Sequence, residues 1–264
     1  MKATKLSTKK SALKTCISKN STPEQIYCYA TKKENYKNNK LRKLHSCGNS
    51  KLPKTTFIFN FGDCHNCPSF ILGLCNFRNN CNFEDVEKNT CYGLTPEIIY
   101  PNCLPYRLRQ KDYWLNCTAE QFIDDFSEIY KRKKIKPTLL RFNEGCDFHS
   151  QNCVDKAEII AKELFTLFNI KCHTYTHRTD LNFTEVVFLN VLNSTNKLVK
   201  GLTSRYIAIT PQQMISVKAD KFSAKFGPVK EQEKQRKIFI CPGSCKKCTL
   251  CANIKIGVIY TVIH

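Results

Sequence analysis

From residue 55 onwards, the chain alternates runs typical of β-strands with amphipathic helical patterns, and this alternation constrains its fold more than any other feature. The strand-like runs are short, β-branched and aromatic, and Gly62 and Pro137 stand where the first run and the first helix end. Such an order places parallel strands side by side with helices between them, so the sequence predicts an α/β fold. The predicted elements are strand 55–61, helix 118–134, strand 138–142, helix 154–168 and strand 170–176.

The second half of the chain has few helical patterns. Short strands are predicted instead at 186–192, 205–209, 215–219, 237–240 and 254–263. Consecutive strands with so few helices between them indicate a partial or decayed TIM-type barrel. We therefore expect residues 55–264 to form one barrel-like domain.

Residues 1–54 have a different character. They contain 14 Lys and Arg against only Glu24 and Glu34, with few apolar residues and no steady hydrophobic period. Such a segment cannot bury enough surface to order itself, so the sequence predicts a flexible basic arm. Two interpretations of the arm remain open: it binds nucleic acid by neutralising phosphates, or it is a solvated tail.

The 17 cysteines among 264 residues are about four times the ordinary usage. The amino terminus has no apolar signal-peptide core, and no run reaches the roughly 18 apolar residues of a membrane helix. We therefore expect a cytoplasmic protein with no membrane segment. Because thiols stay reduced in that compartment, the cysteines indicate metal binding or catalysis rather than a disulfide framework.

The most specific motif is Cys241-Pro-Gly-Ser-Cys245-Lys-Lys-Cys248-Thr-Leu-Cys251. Gaps of two and three residues let one turn present several sulfurs to a metal, and the two lysines offset the charge of the thiolates. Four cysteines on so short a loop would crowd a single zinc ion, whereas a four-iron cluster can take three of them and a fourth ligand from elsewhere. We predict a 4Fe-4S cluster in this segment, with zinc as the alternative.

A second group of cysteines lies in the loop 64–91, which follows the first predicted strand. Parallel α/β folds place reactive groups at the carboxyl ends of their strands, so this position favours a metal site. The spacings match no strict zinc finger. The group consists of Cys64, Cys67, Cys75, Cys81 and Cys91.

The segment 141–149 follows the second predicted strand and combines acids, a thiol and an imidazole. Glu144 and Asp147 are candidates for metal ligation or proton transfer. The alternative is that Asp147 or Ser150 caps the next helix and that Cys146 packs in the core.

Two histidines, His173 and His177, lie on or just after the third predicted strand. They point to the same rim as the preceding loops if that strand is parallel. The alternative, that each is an ordinary core or surface histidine, is the commoner case.

Several aromatic residues lie close in sequence to two arginines, between residues 92 and 114. Aromatic rings beside arginines stack on bases in some nucleic-acid-binding proteins, but packing against the sheet is their usual role. The residues are Tyr92, Tyr100, Tyr106, Tyr113, Trp114, Arg107 and Arg109.

The chain from about residue 57 to 264 resembles the phage-type family known as "gene product 88" in six segments that occur in order. The segments are Cys67-Pro-Ser, Cys91-Tyr-Gly, 100–107, 141–148, 173–177 and 241–251. The family looks like a distant relative of radical-SAM-type barrels, in which cysteines after the first strand hold a four-iron cluster. The resemblance therefore implies that Cys67, Cys75 and Cys91 are cluster ligands.

Two functional hypotheses follow. The first is a virus- or mobile-element-derived iron–sulfur protein of the cytoplasm, with one cluster at Cys241–Cys251 and a second in the loop. If it is an enzyme, the resemblance implies that S-adenosylmethionine binds at an open iron and that Glu144, Asp147 and His177 face the substrate. The second hypothesis is a zinc-stabilised protein without catalytic activity that binds nucleic acid through the arm 1–54.

Overall fold

A computed structural model describes residues 40–75, 91, 93–195, 197–209, 211–226, 238–246, 248–253 and 257–262. Most of the predicted basic arm and of the cysteine-rich loop therefore lies outside the described residues. Predictions for residues 1–39, including nucleic-acid binding, stay predictions.

The described residues form eight strands and seven α-helices, after one 3-10 turn at Leu41–Lys43. No helix in this part of the chain combines the length and the apolar character needed to cross a membrane. The strands are β1 (Ser46–Cys47), β2 (Thr56–Phe59), β3 (Leu139–Phe142), β4 (Lys171–Thr176), β5 (Leu189–Asn193), β6 (Ser204–Ile209), β7 (Ile238–Ile240) and β8 (Gly257–Val262). The helices are α1 (Pro68–Ile71), α2 (Leu94–Ile99), α3 (Cys103–Asn116), α4 (Ala119–Arg132), α5 (Gln151–Phe168), α6 (Pro211–Phe226) and α7 (Leu250–Asn253).

All eight strands belong to one sheet with the order β1-β2-β3-β4-β5-β6-β8-β7. Strand β1 is antiparallel to β2, and every other neighbouring pair is parallel. The α/β prediction is confirmed. Within the described residues the sheet is open, with β1 and β7 at its edges, and it does not close into a barrel.

One face of the sheet packs against α3, α4 and α5 and holds the main core. Its centre is aromatic: Phe61 stacks on Trp114 with ring centroids 4.2 Å apart, and Phe59 meets Phe122 edge to face at 5.3 Å. Each such side chain contributes about 1.5–3 kcal/mol by leaving water. The packing role of Tyr113 and Trp114 is therefore confirmed, since both are buried in this core.

Two of the three helices on this face, α4 and α5, correspond to the predicted helices 118–134 and 154–168, although α5 begins three residues earlier than predicted. The Thr118 hydroxyl accepts a hydrogen bond from the Gln121 N–H at 3.1 Å and so caps α4. Ser150 occupies the N-cap position of α5, without a side-chain capping bond. Asn169 ends α5 in the left-handed conformation, with φ of 54°.

The predicted strand at 215–219 is wrong, because these residues belong to helix α6. The β-branched residues Ile215 and Val217 suggested a strand, but a short apolar run fits a strand or a helix equally well. Pro211 at the first helical position starts the helix. The side chain of Met214 is buried while that of Ile215 is 63% exposed, as on an amphipathic helix.

Residues 40–54, which the sequence analysis assigned to the arm, are part of the folded domain. Leu41 and Leu44 are buried in the main core, and Ser46 and Cys47 pair with β2 as strand β1. Three leucines among lysines and asparagines show no hydrophobic period, so the sequence does not predict that these residues contribute to the core. The folded domain thus includes at least the 15 residues 40–54, which lie before its predicted start at residue 55.

Candidate functional site

The first candidate site lies where β2, β3 and β4 end and consists of four thiols that we call the rim cluster: Cys64, Cys67, Cys91 and Cys146. Cys64 and Cys67 follow β2, and Cys146 follows β3. The thiol of Cys64 hydrogen-bonds that of Cys91, and the thiol of Cys67 hydrogen-bonds that of Cys146. Segments far apart in sequence therefore bring four sulfurs to one edge of the sheet.

The surroundings of two of these thiols, Cys64 and Cys67, favour the protonated form. The hydrogen bond to Cys91 and then burial raise the pKa of Cys64 well above its ordinary value, against the charge of Arg107. The contact with Cys146 and then burial raise the pKa of Cys67 in the same direction. A metal that bound these two groups as thiolates would therefore release protons.

Two glycines make room for the sulfur of Cys64. A Cβ atom added to Gly93 would lie 2.7 Å from this sulfur, and one added to Gly145 would lie 2.6 Å from it. Any other residue at either position would displace the thiol. Cys64 is buried behind the rim, whereas Cys67, Cys91 and Cys146 are partly exposed.

A buried carboxylate fixes the loop that carries Cys64. The Glu97 side chain accepts hydrogen bonds from the Cys64 N–H at 2.8 Å, from His65 Nδ1 at 2.8 Å and from Arg107 Nη1 at 2.6 Å. Arg107 Nη1 also lies 3.4 Å from the Cys64 sulfur. Burial alone would raise the pKa of Glu97, but His65 and Arg107 hold it below its usual value.

Asp63, His65 and Glu97 have ligand atoms that all lie within 4.8 Å of one another, and no other such group of three occurs among the described residues. Both oxygens of Glu97 already accept hydrogen bonds, and the Arg107 guanidinium neutralises its charge. Lys111 Nζ lies 3.8 Å from Asp63. The positive charges of Arg107 and Lys111 disfavour the binding of a metal cation to these carboxylates. We therefore interpret the group as an ion-pair network that supports the rim cluster.

The loop after β3 holds two residues in the left-handed region, Asn143 with φ of 58° and Cys146 with φ of 72°. Residues other than glycine adopt this conformation at a cost of about 1–3 kcal/mol, and such residues concentrate at functional sites. The Asn143 side chain accepts a hydrogen bond from the Phe61 N–H at 2.8 Å, and Asn60 accepts one from the Glu144 N–H at 2.6 Å. These reciprocal bonds fix the loop and place Cys146 against Cys67.

Asp147 joins the ends of three segments of the rim. Its carboxylate accepts hydrogen bonds from the hydroxyls of Ser69 and Thr176 at 2.7 and 2.8 Å, and from the N–H groups of Phe148 and His177 at 2.8 and 2.7 Å. Four donors occupy both oxygens. Asp147 therefore holds the loops in place and does not cap helix α5.

The other two predicted substrate-facing residues, Glu144 and His177, lie on the same rim. The Glu144 side chain accepts a hydrogen bond from Asn49 Nδ2 at 2.6 Å. Burial lowers the pKa of His177, against the charges of Asp147 and Cys91. The rim thus carries a neutral imidazole and a carboxylate next to the thiols.

The resemblance implies Cys75 as a ligand beside Cys67 and Cys91, and this stays a prediction. Cys75 follows α1, where its N–H donates to the Ser69 carbonyl at 3.0 Å. The thiol that contacts Cys67 belongs to Cys146, which the resemblance does not name as a ligand. The positive φ of Cys146 has no clear signature in a single sequence, although Cys146 stands one residue before Asp147 in a motif noted above.

The second candidate site covers the opposite face of the sheet and consists of the four carboxyl-terminal cysteines, which we call the inner-face cluster. Their segment lies over β4 and β5, held by the hydrogen bond from the Cys245 N–H to the Lys51 carbonyl at 2.9 Å and from Asn190 Nδ2 to the Cys251 carbonyl at 2.7 Å. The four cysteines line one cavity together with side chains of β3 and β4. The cluster comprises Cys241, Cys245, Cys248 and Cys251, and the strand residues are Leu139, Arg141, His173 and Tyr175.

The thiols of the inner-face cluster are spaced more widely than ligands of one ion. Sulfurs bound to one zinc ion lie about 3.8 Å apart, given Zn–S bonds of about 2.3 Å. Among the described residues no three thiols come within 4.8 Å of one another. Burial raises the pKa of Cys251 to about 11, and burial raises that of Cys245 against the charge of Arg141.

No protein-family model, curated protein or solved structure matches this chain. The resemblance to the "gene product 88" family therefore stays a prediction. The function has to be argued from the two clusters alone.

Proposed function

We propose that this protein binds iron–sulfur clusters, one at the rim cluster and one at the inner-face cluster. The observation that carries the proposal is that Cys67, Cys91 and Cys146 come from three separate segments and form two thiol contacts, Cys67 with Cys146 and Cys91 with Cys64, at the carboxyl edge of a parallel sheet. Proteins hold Fe–S clusters mainly through thiolates. Because these three cysteines are partly exposed, a cluster bound to them could exchange electrons with a redox partner. Cys64, buried behind them, supports the loop.

Two features favour a polynuclear cluster over a single zinc ion. No three described thiols lie within 4.8 Å of one another, so no three of them are placed to share one ion. Ligands of a cluster bind different irons and therefore lie further apart than ligands of one ion. Arg107 and Arg141 add positive charge beside the two groups, which offsets the charge of several thiolates.

The order of the strands supports the finer fold assignment, a partial barrel similar to those of radical-SAM-type proteins. Strands β2 to β6 follow one another as parallel neighbours without a reversal of order, which is the arrangement of a TIM-type barrel rather than of a doubly wound sheet. In such barrels the loops at the carboxyl ends of the strands carry the active site. The rim cluster lies on these loops.

An enzymatic role is a further part of the proposal. A four-iron cluster bound through three thiols has one iron open to a ligand, and the resemblance implies S-adenosylmethionine at that position. A substrate bound near that iron would lie at the rim, where Glu144 and His177 also lie. Their role is to bind and orient it, since Asp147 is occupied by the loops.

The test is anaerobic purification of the full chain, followed by iron, sulfide and zinc analysis and by visible and electron paramagnetic resonance spectra. We expect brown protein with iron and sulfide. Cys67→Ser or Cys146→Ser should lose the rim cluster, whereas Cys75→Ser and the control Cys47→Ser should keep it. Addition of S-adenosylmethionine should change the spectrum of the rim cluster in the wild type.

Colourless protein that holds only zinc would refute the proposal and favour the zinc-stabilised alternative. Nucleic-acid binding through the basic arm belongs to that alternative and has its own test. Deletion of residues 1–39 should weaken binding and flatten its salt dependence. The deletion should end at residue 39, because Leu41 and Leu44 belong to the core.

A further inference from the structure

We propose that His173 is a metal ligand of the inner-face cluster, so that this centre has mixed cysteine and histidine ligation. The inference rests on the proposed function, because it names a ligand of the second centre. It adds a residue outside the cysteine motif, from a different part of the chain.

The position of His173 follows from the period of strand β4. Cys172 and Thr174 point to the face covered by helices, and His173 and Tyr175 point to the opposite face. The side chain of His173 is only 5% exposed, and it lines the same cavity as all four cysteines of the inner-face cluster. His173 therefore lies between the sheet and the carboxyl-terminal segment that covers it.

The hydrogen bonds of His173 are incomplete. Its Nδ1 atom is buried and has no hydrogen-bond partner among the described residues. A buried polar atom without a partner destabilises the folded state, so such atoms in native proteins are normally bound by another group, a water or an ion. A metal ion is a partner that the surrounding thiols would also bind.

The imidazole is already in the form that binds metals. Burial, and then the charge of Arg141, lower the pKa of His173 to about 3, so the ring is neutral at physiological pH. Neutral imidazole is the ligating form, and no proton has to be displaced from it. Arg141 lies in the same cavity and offsets the charge of the thiolates.

The chemistry of the motif leaves a place for such a ligand. A four-iron cluster takes four protein ligands, and a short loop supplies three of them more easily than four. A histidine in place of a thiolate removes one negative charge from the centre, and it raises the reduction potential of a cluster. His173 would therefore make the inner-face centre easier to reduce than an all-cysteine centre.

The experiment isolates the inner-face centre in the full chain. Cys67→Ser and Cys146→Ser together remove the rim cluster, and the remaining metal is then studied with and without His173→Gln. X-ray absorption at the edge of the bound metal counts nitrogen and sulfur ligands for iron or zinc alike. Pulsed electron paramagnetic resonance adds the nitrogen coupling if the metal is iron.

The expected result is one nitrogen ligand in the background protein, and its loss together with a lowered reduction potential in His173→Gln. Thr174→Val is the matched control, because it changes the adjacent residue of β4 on the other face and should keep the nitrogen ligand. Sulfur-only ligation, or a nitrogen signal that survives His173→Gln, would overturn the inference while leaving the cluster proposal intact. A background protein that binds no metal would overturn both this inference and the second centre, but not the rim centre.

Discussion

The ion pair between Glu97 and Arg107 offers the sharpest test of how the rim is built. Glu97 is completely buried, Arg107 is 5% exposed, and the oxygen and nitrogen lie 2.6 Å apart. Substitution Glu97→Gln keeps the size of the side chain but leaves the guanidinium of Arg107 without a counter-charge. Breaking a buried pair in this way costs about 3–5 kcal/mol, so we expect a loss of that size in the free energy of unfolding.

The assay is urea unfolding of the reduced, metal-free protein near neutral pH. Glu128→Gln is the control, because Glu128 and Arg132 form an exposed pair at 3.6 Å on α4 and should contribute no more than about 0.5 kcal/mol. In the double variant Glu97→Gln with Arg107→Met, the second change should cost less than it does alone. A destabilisation by Glu97→Gln as small as that of Glu128→Gln would refute the argument.

The same pair predicts a pH dependence. The pKa of Glu97 is lowered in the folded protein, so its stabilisation is present above the ordinary carboxyl value of about 4.3 and is lost as the pH falls through the folded value. The wild type should therefore lose stability in acid more steeply than Glu97→Gln. Parallel acid unfolding curves would contradict this sign.

Three further predictions concern the helices and the thiols. Thr118→Ala should lower the free energy of unfolding by about 1 kcal/mol, because it removes the hydrogen bond to the Gln121 N–H. Asn169→Gly should raise it by a few tenths of a kcal/mol, because glycine adopts the left-handed conformation without strain. Metal affinity, measured by competition with a chelator, should rise with pH over about pH 6–8, because the pKa of the proposed ligand Cys67 is raised and metal uptake releases its proton.

Each of these has a clear contrary result. Unchanged urea curves for Thr118→Ala would show that the cap contributes nothing, and a loss of stability in Asn169→Gly would show that the asparagine side chain does more than tolerate its backbone. An affinity independent of pH would mean that the metal does not bind through Cys67.

The sequence predicts those parts of the fold in which local pattern and tertiary packing agree. Helix α4 was found from its capping box and apolar face, and β2 from its aromatic run, because both signals are local. Helix α3 was not found: its arginines and tyrosines hide an apolar face, and its burial depends on Trp114 meeting Phe61 from another element. The same holds for Leu41 and Leu44, whose partners are 80 residues away on α4.

The candidate site was predicted only in part, for the same reason. Cys67 and Cys91 are predicted from the resemblance, and both lie at the rim. The placement of Cys146 beside Cys67 could not be predicted, because it depends on a left-handed backbone held by Asn60 and Asn143. The shared cavity of the terminal cysteines and His173 depends on a segment that folds over the sheet from a distant part of the chain, which no local pattern shows.

That shared cavity has a consequence for how the chain acquires its structure. Strand β8 pairs with β6 across some 50 intervening residues, and the segment before it closes the inner face against Lys51. During synthesis the face that carries Arg141 and Tyr175 is therefore left uncovered until residues 241–253 have been made. Closure of such distant contacts is slow, and exposed strands favour aggregation meanwhile. If the terminal cysteines bind metal as proposed, the bound metal would stabilise this late-forming layer, and folding of the inner face would then depend on metal supply.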